Sequence, residues 1–325
     1  MHKLIVCYKL RREFGKPTLA LLIYYGIMNV AVILVAIADA VVFALGSMQS
    51  GAGMDALTDA MINRIMSNGW GYIFASLIGF VALLIWKKPH FCFVEIWKAD
   101  RPMKPGSFAA LTCIFISGQA IFQLVTEGME WVFNLFDMSI MESLESATAV
   151  PDSLSMFLYV SLAAPVFEEI LFRGLILRSL QPYGKKFAIF TSAYLFGMFH
   201  GNVVQSPYAF AVGLVLGYVA AEYSMGWAMV LHMINNLLLG DSLGRITQSL
   251  PAMAQKMIFL VLIWGCAIAA VLIMIVKRKE LIAYMRSGRM HPWCLKSFFS
   301  SPTVIIFTCV MGANILLPLL LSMIA

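Results

Sequence analysis

Charged residues are scarce in this sequence. Asp, Glu, Lys and Arg make up 12% of its 325 residues, whereas they form about a quarter of an ordinary soluble domain. Hydrophobic residues account for 61%. So few charges cannot cover the surface of a water-soluble protein of this length. The composition therefore excludes a soluble globular protein and predicts a chain whose outer surface meets the hydrocarbon of a membrane.

Paired cysteines and the usual zinc-binding helix are also missing. The six cysteines are scattered without any C-x-x-C pair, which argues against a disulfide framework or a zinc knuckle. No H-E-x-x-H occurs in the sequence, so the helix that holds zinc in many metalloenzymes is absent. Any metal in this protein would need ligands from separate segments.

Apolar runs long enough, or nearly long enough, to cross a bilayer recur along the chain. A transmembrane helix needs about 20 such residues. The runs lie at 18–47, 69–86, 107–127, 154–178, 186–200, 207–223, 227–240, 257–276 and 303–324. Because 186–200 and 227–240 are short, about nine spans are expected, with eight as the alternative. The predicted fold is all-α, a polytopic transmembrane helical bundle that forms one membrane domain over residues 1–325.

The positive charges are concentrated on one side of these predicted spans. With the N-terminus placed in the cytoplasm, the inner segments contain Lys3, Lys9, Arg11, Arg12, Lys16, Lys87, Lys88, Lys98, Arg101, Lys104, Arg178, Lys185, Lys186, Lys277, Arg278, Lys279, Arg286, Arg289 and Lys296. The outer loops keep only Arg64, Arg245 and Lys256. Lys and Arg orient membrane helices by this asymmetry. We therefore predict an integral, multi-pass membrane protein with a cytoplasmic N-terminus. The lipid bilayer, and not nucleic acid, is the partner of its net charge of +6.

A few ionisable side chains lie inside the predicted spans, where each is costly. They are Asp39, Glu168, Glu169, Arg173, His200, Glu222 and His232. Five of the seven fall into three short patterns on separate spans. Of the other two, Asp39 is expected to pair across helices or to face a water-filled vestibule. Glu222 lies near an inner helix end and is expected to be solvated.

The first pattern is Glu168-Glu169-Ile170-Leu171-Phe172-Arg173. On a helix, Glu169 and Arg173 are four residues apart and share a face, so they can form an ion pair. Glu168 then points about 100° away. Arg173 can hold Glu169 ionised and leave Glu168 free to exchange a proton, as a general base acting on water must do.

The second and third patterns are Phe196-Gly197-Met198-Phe199-His200 and His232-Met233-Ile234-Asn235-Asn236. His232 and Asn236 are again four residues apart on one face. Their N–H groups could jointly donate hydrogen bonds to an oxyanion. His200 could orient the attacking water with Glu168, or it could bind a metal together with His232.

The three patterns read E-E-x-x-x-R, F-x-x-x-H and H-x-x-x-N, in this order and each on its own span. The order resembles that of the CAAX-protease and bacteriocin-processing family (CPBP, or ABI) of intramembrane endopeptidases, which includes the endopeptidases that trim prenylated CAAX proteins. The resemblance covers about residues 154–240, which are expected to form the catalytic core. It implies a peptide or a membrane-anchored protein as the substrate.

The resemblance also implies a role for each motif residue. Glu168 would activate the water with help from His200, and His232 and Asn236 would support the transition state. Glu169 and Arg173 would hold the site together. Metal dependence stays open at this point. If a divalent cation such as zinc is bound, its candidate ligands are Glu168, His200 and His232.

Two other functions are compatible with buried charges in a membrane protein. A proton-coupled transporter would use the same carboxylates to relay protons, and it would be expected to contain inverted repeats, which the sequence does not display. A non-catalytic membrane scaffold or immunity protein would keep the charges as an ion pair that staples helices together. The complete set of three patterns favours the peptidase over both.

Overall fold

The computed structural model describes residues 2–47, 54–87, 89–238, 243–288 and 290–322. Within these ranges the chain forms helices joined by short connections, and no residue is in a β-strand. The predicted all-α fold class is confirmed.

The helices follow one another with few intervening residues. The first half of the chain forms α1 (His2–Ser47), α2 (Met54–Met66), α3 (Gly69–Trp86), α4 (Pro89–Phe93), α5 (Pro105–Asn134) and α6 (Met141–Thr148). The second half forms α7 (Leu154–Tyr183), α8 (Lys185–Phe199), α9 (Gln205–Glu222), α10 (Met225–Leu237), α11 (Leu243–Thr247), α12 (Ala252–Val276), α13 (Arg278–Arg286), α14 (Pro292–Phe299) and α15 (Pro302–Ser322). In its described part, each apolar run predicted as a span falls on one of these helices to within one or two residues.

Five helices of the described chain are long and apolar enough to cross a bilayer, namely α1, α5, α7, α12 and α15. The pair α2 and α3, bent by 44°, could supply a sixth span. The helices α8 and α10 have only 15 and 13 residues, and neighbouring helices cover most of α8. An integral membrane protein is therefore supported. The number of spans and the side of the N-terminus stay predictions.

The hairpin formed by α7 and α8 sets the depth of the motif residues. The chain turns at Gly184, whose φ of +131° is a backbone conformation that side chains with a Cβ rarely adopt. In antiparallel helices, residues equally distant from the turn lie at the same level. Glu168 precedes Gly184 by 16 residues and His200 follows it by 16, so the hairpin brings the two to one depth.

The helices α8 and α9 pack closely because small residues line their contact. A Cβ atom on Gly213 would lie 3.3 Å from the Cα atom of Ala193, and one on Gly217 would lie 3.1 Å from Ile189 Cγ2. Glycines four residues apart let two helix backbones approach closely in membrane proteins. This approach brings the Gly213 carbonyl within reach of the guanidinium of Arg173 on α7, at 3.3 Å.

Gly197 of α8 leaves the least room for a Cβ atom among the glycines at this contact. A Cβ atom there would lie 2.8 Å from both the Cβ atom of Phe210 and the backbone oxygen of Ser206. We expect Gly197→Ala to lower the free energy of unfolding by about 1–3 kcal/mol, because the backbone of α9 must shift to relieve the overlap. Thermal unfolding in detergent micelles measures the change. The control is Gly128→Ala in α5, where a Cβ meets nothing within 4 Å and no loss is expected. Equal stabilities of the two variants would contradict this packing.

Asp39 and Glu222, the two ionisable residues of the predicted spans that lie outside the three motifs, are both ion-paired. Asp39 accepts hydrogen bonds from Arg64 Nε at 2.8 Å and from Asn68 Nδ2 at 2.9 Å, so it pairs across helices, the first of the two expectations. The expected solvation of Glu222 is wrong. Its side chain is only 14% exposed, and its Oε1 atom lies 3.1 Å from Lys185 Nζ. Lys185 and Arg101 thus form ion pairs with this carboxylate near the end of α9.

Candidate active site

Pro165 interrupts the regular hydrogen bonding of α7 just before the two adjacent glutamates. Proline has no N–H to donate, and its ring would clash with the carbonyl four residues before it. The π-helical turn Tyr159–Ala163 accommodates this, since the Ala164 N–H donates to the Tyr159 carbonyl five residues back. The Val160 carbonyl therefore receives no hydrogen bond from either Ala164 or Pro165. It is free to accept one from another helix.

The two glutamates of α7 lie in different surroundings. Glu169 and Arg173 are both fully buried, and Glu169 Oε1 lies 3.1 Å from Arg173 Nη1, which confirms the predicted ion pair. The guanidinium also donates to the Gly213 carbonyl and lies 4.3 Å from the centre of the Phe196 ring. Glu168, by contrast, keeps 23% of its side chain exposed and lines a cavity. One carboxylate is thus held inside the protein, and the other faces open space.

His232 of α10 connects the two carboxylates. Its Nδ1–H donates to Glu169 Oε1 at 3.0 Å, and its Nε2 atom lies 3.8 Å from Glu168 Oε2. The hydrogen bond to Glu169 orients the imidazole, because that carboxylate is itself held by Arg173. The free nitrogen of the ring therefore points toward Glu168 and the cavity.

His200 ends α8 on the other side of the cavity. Its Nδ1–H donates to the Phe196 carbonyl at 2.8 Å, and the two rings meet edge to face with their centres 4.8 Å apart. Because Nδ1 is engaged in this bond, Nε2 is the ring nitrogen that remains to act on a ligand. The F-x-x-x-H spacing thus has a structural reason, since Phe196 holds His200 one helical turn later.

A cavity of about 220 Å³ lies between α7, α8, α9 and α10. It is lined by all four residues predicted to be catalytic, Glu168, His200, His232 and Asn236. The other lining residues are Phe115, Tyr159, Val160, Ala164, Phe196, Gln205, Tyr208, Ala209, Val212 and Asn235. Glu169 and Arg173 stand behind this wall. The volume is large enough for several water molecules or a short stretch of peptide.

A second cavity, of about 350 Å³, adjoins the first. The two share the lining residues Val160, Gln205, Tyr208, Asn235 and Asn236. The second cavity is otherwise lined mainly by apolar groups, among them Phe122 of α5 and Phe259 and Ile263 of α12. A molecule that enters between these helices would pass the shared polar residues before it reaches Glu168.

Sequence reasoning missed three polar residues at this junction, namely Gln119, Tyr208 and Asn235. Gln119 Nε2 donates to Tyr208 Oη at 2.5 Å, and that hydroxyl donates to Asn235 Oδ1 at 3.4 Å. The search for ionisable residues inside the spans passed over them because none of the three is charged near neutral pH. Every one of the three is a hydrogen-bonding side chain within a predicted apolar run, and that criterion would have identified them.

The metal candidates Glu168, His200 and His232 do not form a metal centre as they stand. Across the residues that the structure describes, no group of three or more His, Cys, Asp or Glu side chains is arranged to hold a metal ion. Each of the two histidines already uses its Nδ1 atom in a hydrogen bond within the protein. Both Nε2 atoms remain free of hydrogen bonds to the described residues, and histidines that bind zinc commonly donate their Nδ1–H to the protein in this way, so these hydrogen bonds do not exclude a metal.

Residues 240–244 read G-x-S-x-G, the pattern that surrounds the nucleophilic serine of α/β-hydrolases. That pattern depends on a sharp turn from a strand to a helix. The described residues contain no strand, and residues 239–242 lie outside the described ranges. The pattern therefore supports no assignment.

Residues 150–238 match a family model described as Type II CAAX prenyl endopeptidase Rce1-like. The matched segment begins just before α7, ends with α10 and contains all seven residues that the three motifs specify. The match confirms the resemblance predicted from those motifs. Comparisons with curated proteins and with solved structures find no match.

Proposed function

We propose that this CAAX-protease-like peptidase of the membrane hydrolyses a peptide bond with a water molecule that Glu168 activates. One observation carries the proposal. Of the two adjacent carboxylates, Glu169 is bound by Arg173 and His232, whereas Glu168 lines the cavity together with His200 and His232. A carboxylate within reach of both a cavity and two imidazoles suits a general base for water. The substrate is a peptide or a membrane-anchored protein.

The proposed reaction moves one proton through Glu168. The Glu168 carboxylate takes a proton from the water as the water oxygen forms a bond to the carbonyl carbon of the substrate. His200 orients this water through its Nε2 atom. Glu168 then passes the proton to the amide nitrogen of the substrate, the C–N bond breaks, and an acid and an amine leave the site.

The negative charge that develops on the carbonyl oxygen needs hydrogen-bond donors. Asn236 lines the cavity, and its Nδ2 atom has one N–H directed at the Val160 carbonyl, at 3.0 Å, and a second that is available to the substrate. His232 supplies a second donor at Nε2 when its ring carries a proton there as well as on Nδ1. Donors that are already in place when charge develops contribute strongly to such reactions.

The surroundings of the site support a substrate that arrives from the membrane. Helices α5 and α12, which flank the larger cavity, are both long and apolar enough to span the bilayer. Apart from the polar residues that it shares with the smaller cavity, the walls of that cavity are mainly apolar. Within the single membrane domain, we assign the catalytic core to residues 154–240, and helices α1, α3 and α5 pack against it.

Digestion of a peptide library by the purified protein tests this function. We expect cleavage at a defined position, with stronger activity toward peptides that carry a membrane anchor. The same digestion with a chelator decides the subtype of the peptidase. Loss of activity that a defined metal restores would assign a metalloenzyme, and unchanged activity would support activation of the water by Glu168 without a metal. Ion or solute flux in proteoliposomes without cleavage of any peptide would contradict the proposal and favour a transporter.

A further inference from the structure

We infer that Gln119, Tyr208 and Asn235 are positioning residues that fix the side-chain amide of Asn236 so that its N–H, and not its oxygen, faces the substrate. The inference rests on the proposed function, because it concerns the donor that Asn236 supplies to the oxyanion. An asparagine amide has two ends of similar shape and opposite hydrogen-bonding character. Turned by 180°, Asn236 would present an acceptor to a developing negative charge and would hinder the reaction.

The backbone of α7 fixes the NH₂ end of the Asn236 amide. The Val160 carbonyl lies 3.0 Å from Asn236 Nδ2. A carbonyl oxygen can only accept, so the amide group of Asn236 that faces it must be the NH₂ group. Val160 can play this part because Pro165 has no N–H and the π turn commits the Ala164 N–H to Tyr159. The irregularity in α7 thus supplies an acceptor that a regular helix would have used internally.

A chain of hydrogen bonds that crosses three helices fixes the oxygen end of the Asn236 amide. Gln119 of α5 donates to the hydroxyl of Tyr208 on α9, and that hydroxyl donates to Asn235 Oδ1 on α10. Gln119 Nε2 also lies 3.4 Å from Asn235 Oδ1. With its oxygen facing these donors, Asn235 turns its NH₂ group the other way and donates to Asn236 Oδ1 at 3.1 Å.

Every bond in this chain runs in the same direction, from Gln119 to the Val160 carbonyl. Asn236 Oδ1 is occupied by Asn235, and one N–H of Asn236 is occupied by Val160. The remaining N–H is the one donor that the amide has left for the cavity. Reversal of the amide would leave two acceptors facing each other at Val160, at a cost comparable to that of an unpaired buried polar group.

The first test is Tyr208→Phe, which removes only the hydroxyl. We expect kcat to fall about tenfold while KM stays within about twofold, because the variant weakens a donor used in the transition state and not the binding of the ground state. Asn235→Asp keeps the shape but cannot donate to Asn236, so its kcat should fall further, by about 100-fold. The matched control is Tyr194→Phe. The Tyr194 hydroxyl is hydrogen-bonded to Thr308 Oγ1 at 2.8 Å, and Tyr194 does not line the cavity. This control should keep the kcat of the wild type.

A double-mutant cycle shows whether these residues act through Asn236. In the Asn236→Ala background, Tyr208→Phe should cause no further loss of kcat, since the group it positions is already gone. Losses that multiply would overturn the inference, and so would a Tyr208→Phe variant whose defect lies in KM alone.

The same cycle measured by thermal unfolding tests the chain without any substrate. The effects of Tyr208→Phe and Asn236→Ala on Tm should be non-additive, because the two residues belong to one hydrogen-bonded network. Additive shifts would show that the network does not exist, whether or not the protein cleaves peptides. If the variants show the coupling in Tm but the wild-type protein cleaves no peptide, the result would count against the proposed function and not against the network.

Discussion

Glu168→Gln is expected to lower kcat for peptide cleavage by about 10³- to 10⁴-fold, because the amide cannot take a proton from water. The substitution keeps the size and hydrogen-bonding reach of the side chain. Glu168 makes no close hydrogen bond within the described protein, and its nearest ion-pair partner is His232 Nε2 at 3.8 Å. We therefore expect Tm and the KM for the substrate to change little. Steady-state cleavage of the best library peptide measures the effect.

A matched control separates this loss from a general effect of removing a glutamate from the membrane region. Glu127 of α5 is exposed, and it accepts a hydrogen bond from Gln123 Nε2 at 3.3 Å. Glu127→Gln should therefore retain full activity. Cleavage by Glu168→Gln at the rate of the wild type would refute the assignment of the general base.

The same substitution separates the three functions that the sequence leaves open. A peptidase loses cleavage. A transporter that relays protons through Glu168 would lose substrate flux and would never have shown cleavage. A scaffold would keep its cellular effect, because Glu168 lies at the edge of a cavity and its contact with His232, at 3.8 Å, is longer than the 3.0 Å contact of His232 with Glu169.

The parts of the site that follow from local helix geometry were predictable from the sequence. Glu169 and Arg173 are four residues apart, and their side chains meet at 3.1 Å. Their common face also determines that Glu168 points elsewhere, into the cavity. The convergence of His200 with Glu168 follows from the short turn at Gly184, since residues at equal distances from a tight turn lie side by side.

The parts that depend on contacts between distant helices were not predictable. Gln119 and Tyr208 are separated by 89 residues along the chain, and nothing in either apolar run indicates that they meet. The pairing of Glu222 with Lys185 was missed for the same reason. Pro165 was visible in the sequence, but its consequence, a free carbonyl at Val160, requires knowledge of where the π turn forms and of which side chain lies opposite.

Arg173→Met is expected to give the largest loss of stability, about 3–5 kcal/mol, because it leaves the Glu169 carboxylate buried without its cation. Both side chains of the pair are fully buried. Unfolding in detergent micelles by heat or denaturant measures the loss. The control is Arg101→Met, whose side chain is 48% exposed and lies 3.7 Å from Glu222. Because solvent screens such a pair, its loss should cost less than about 1 kcal/mol.

The double variant Glu169→Gln/Arg173→Met distinguishes a staple from a part of the active site. Replacement of both charges of a buried pair by neutral groups is often close to neutral for stability, so most of the lost stability should return. Activity should not return with it, because His232 would donate to a neutral amide in place of a carboxylate held by Arg173. A double variant with both the stability and the activity of the wild type would show that the pair has no role in the site.

The geometry of the pair favours a role in the site. Within the described structure Glu169 Oε2, Arg173 Nε and Arg173 Nη1 have no hydrogen-bond partner, so this pair is not arranged for the greatest stability. Glu169 Oε1 accepts a hydrogen bond from His232 Nδ1 at 3.0 Å and also lies 3.1 Å from Arg173 Nη1, so it is shared between the two residues. A charge pair that serves only to join helices gains nothing from such sharing. A charge pair that must hold the His232 imidazole at a fixed angle beside Glu168 requires this sharing. Stability without activity in the double variant is therefore the expected result.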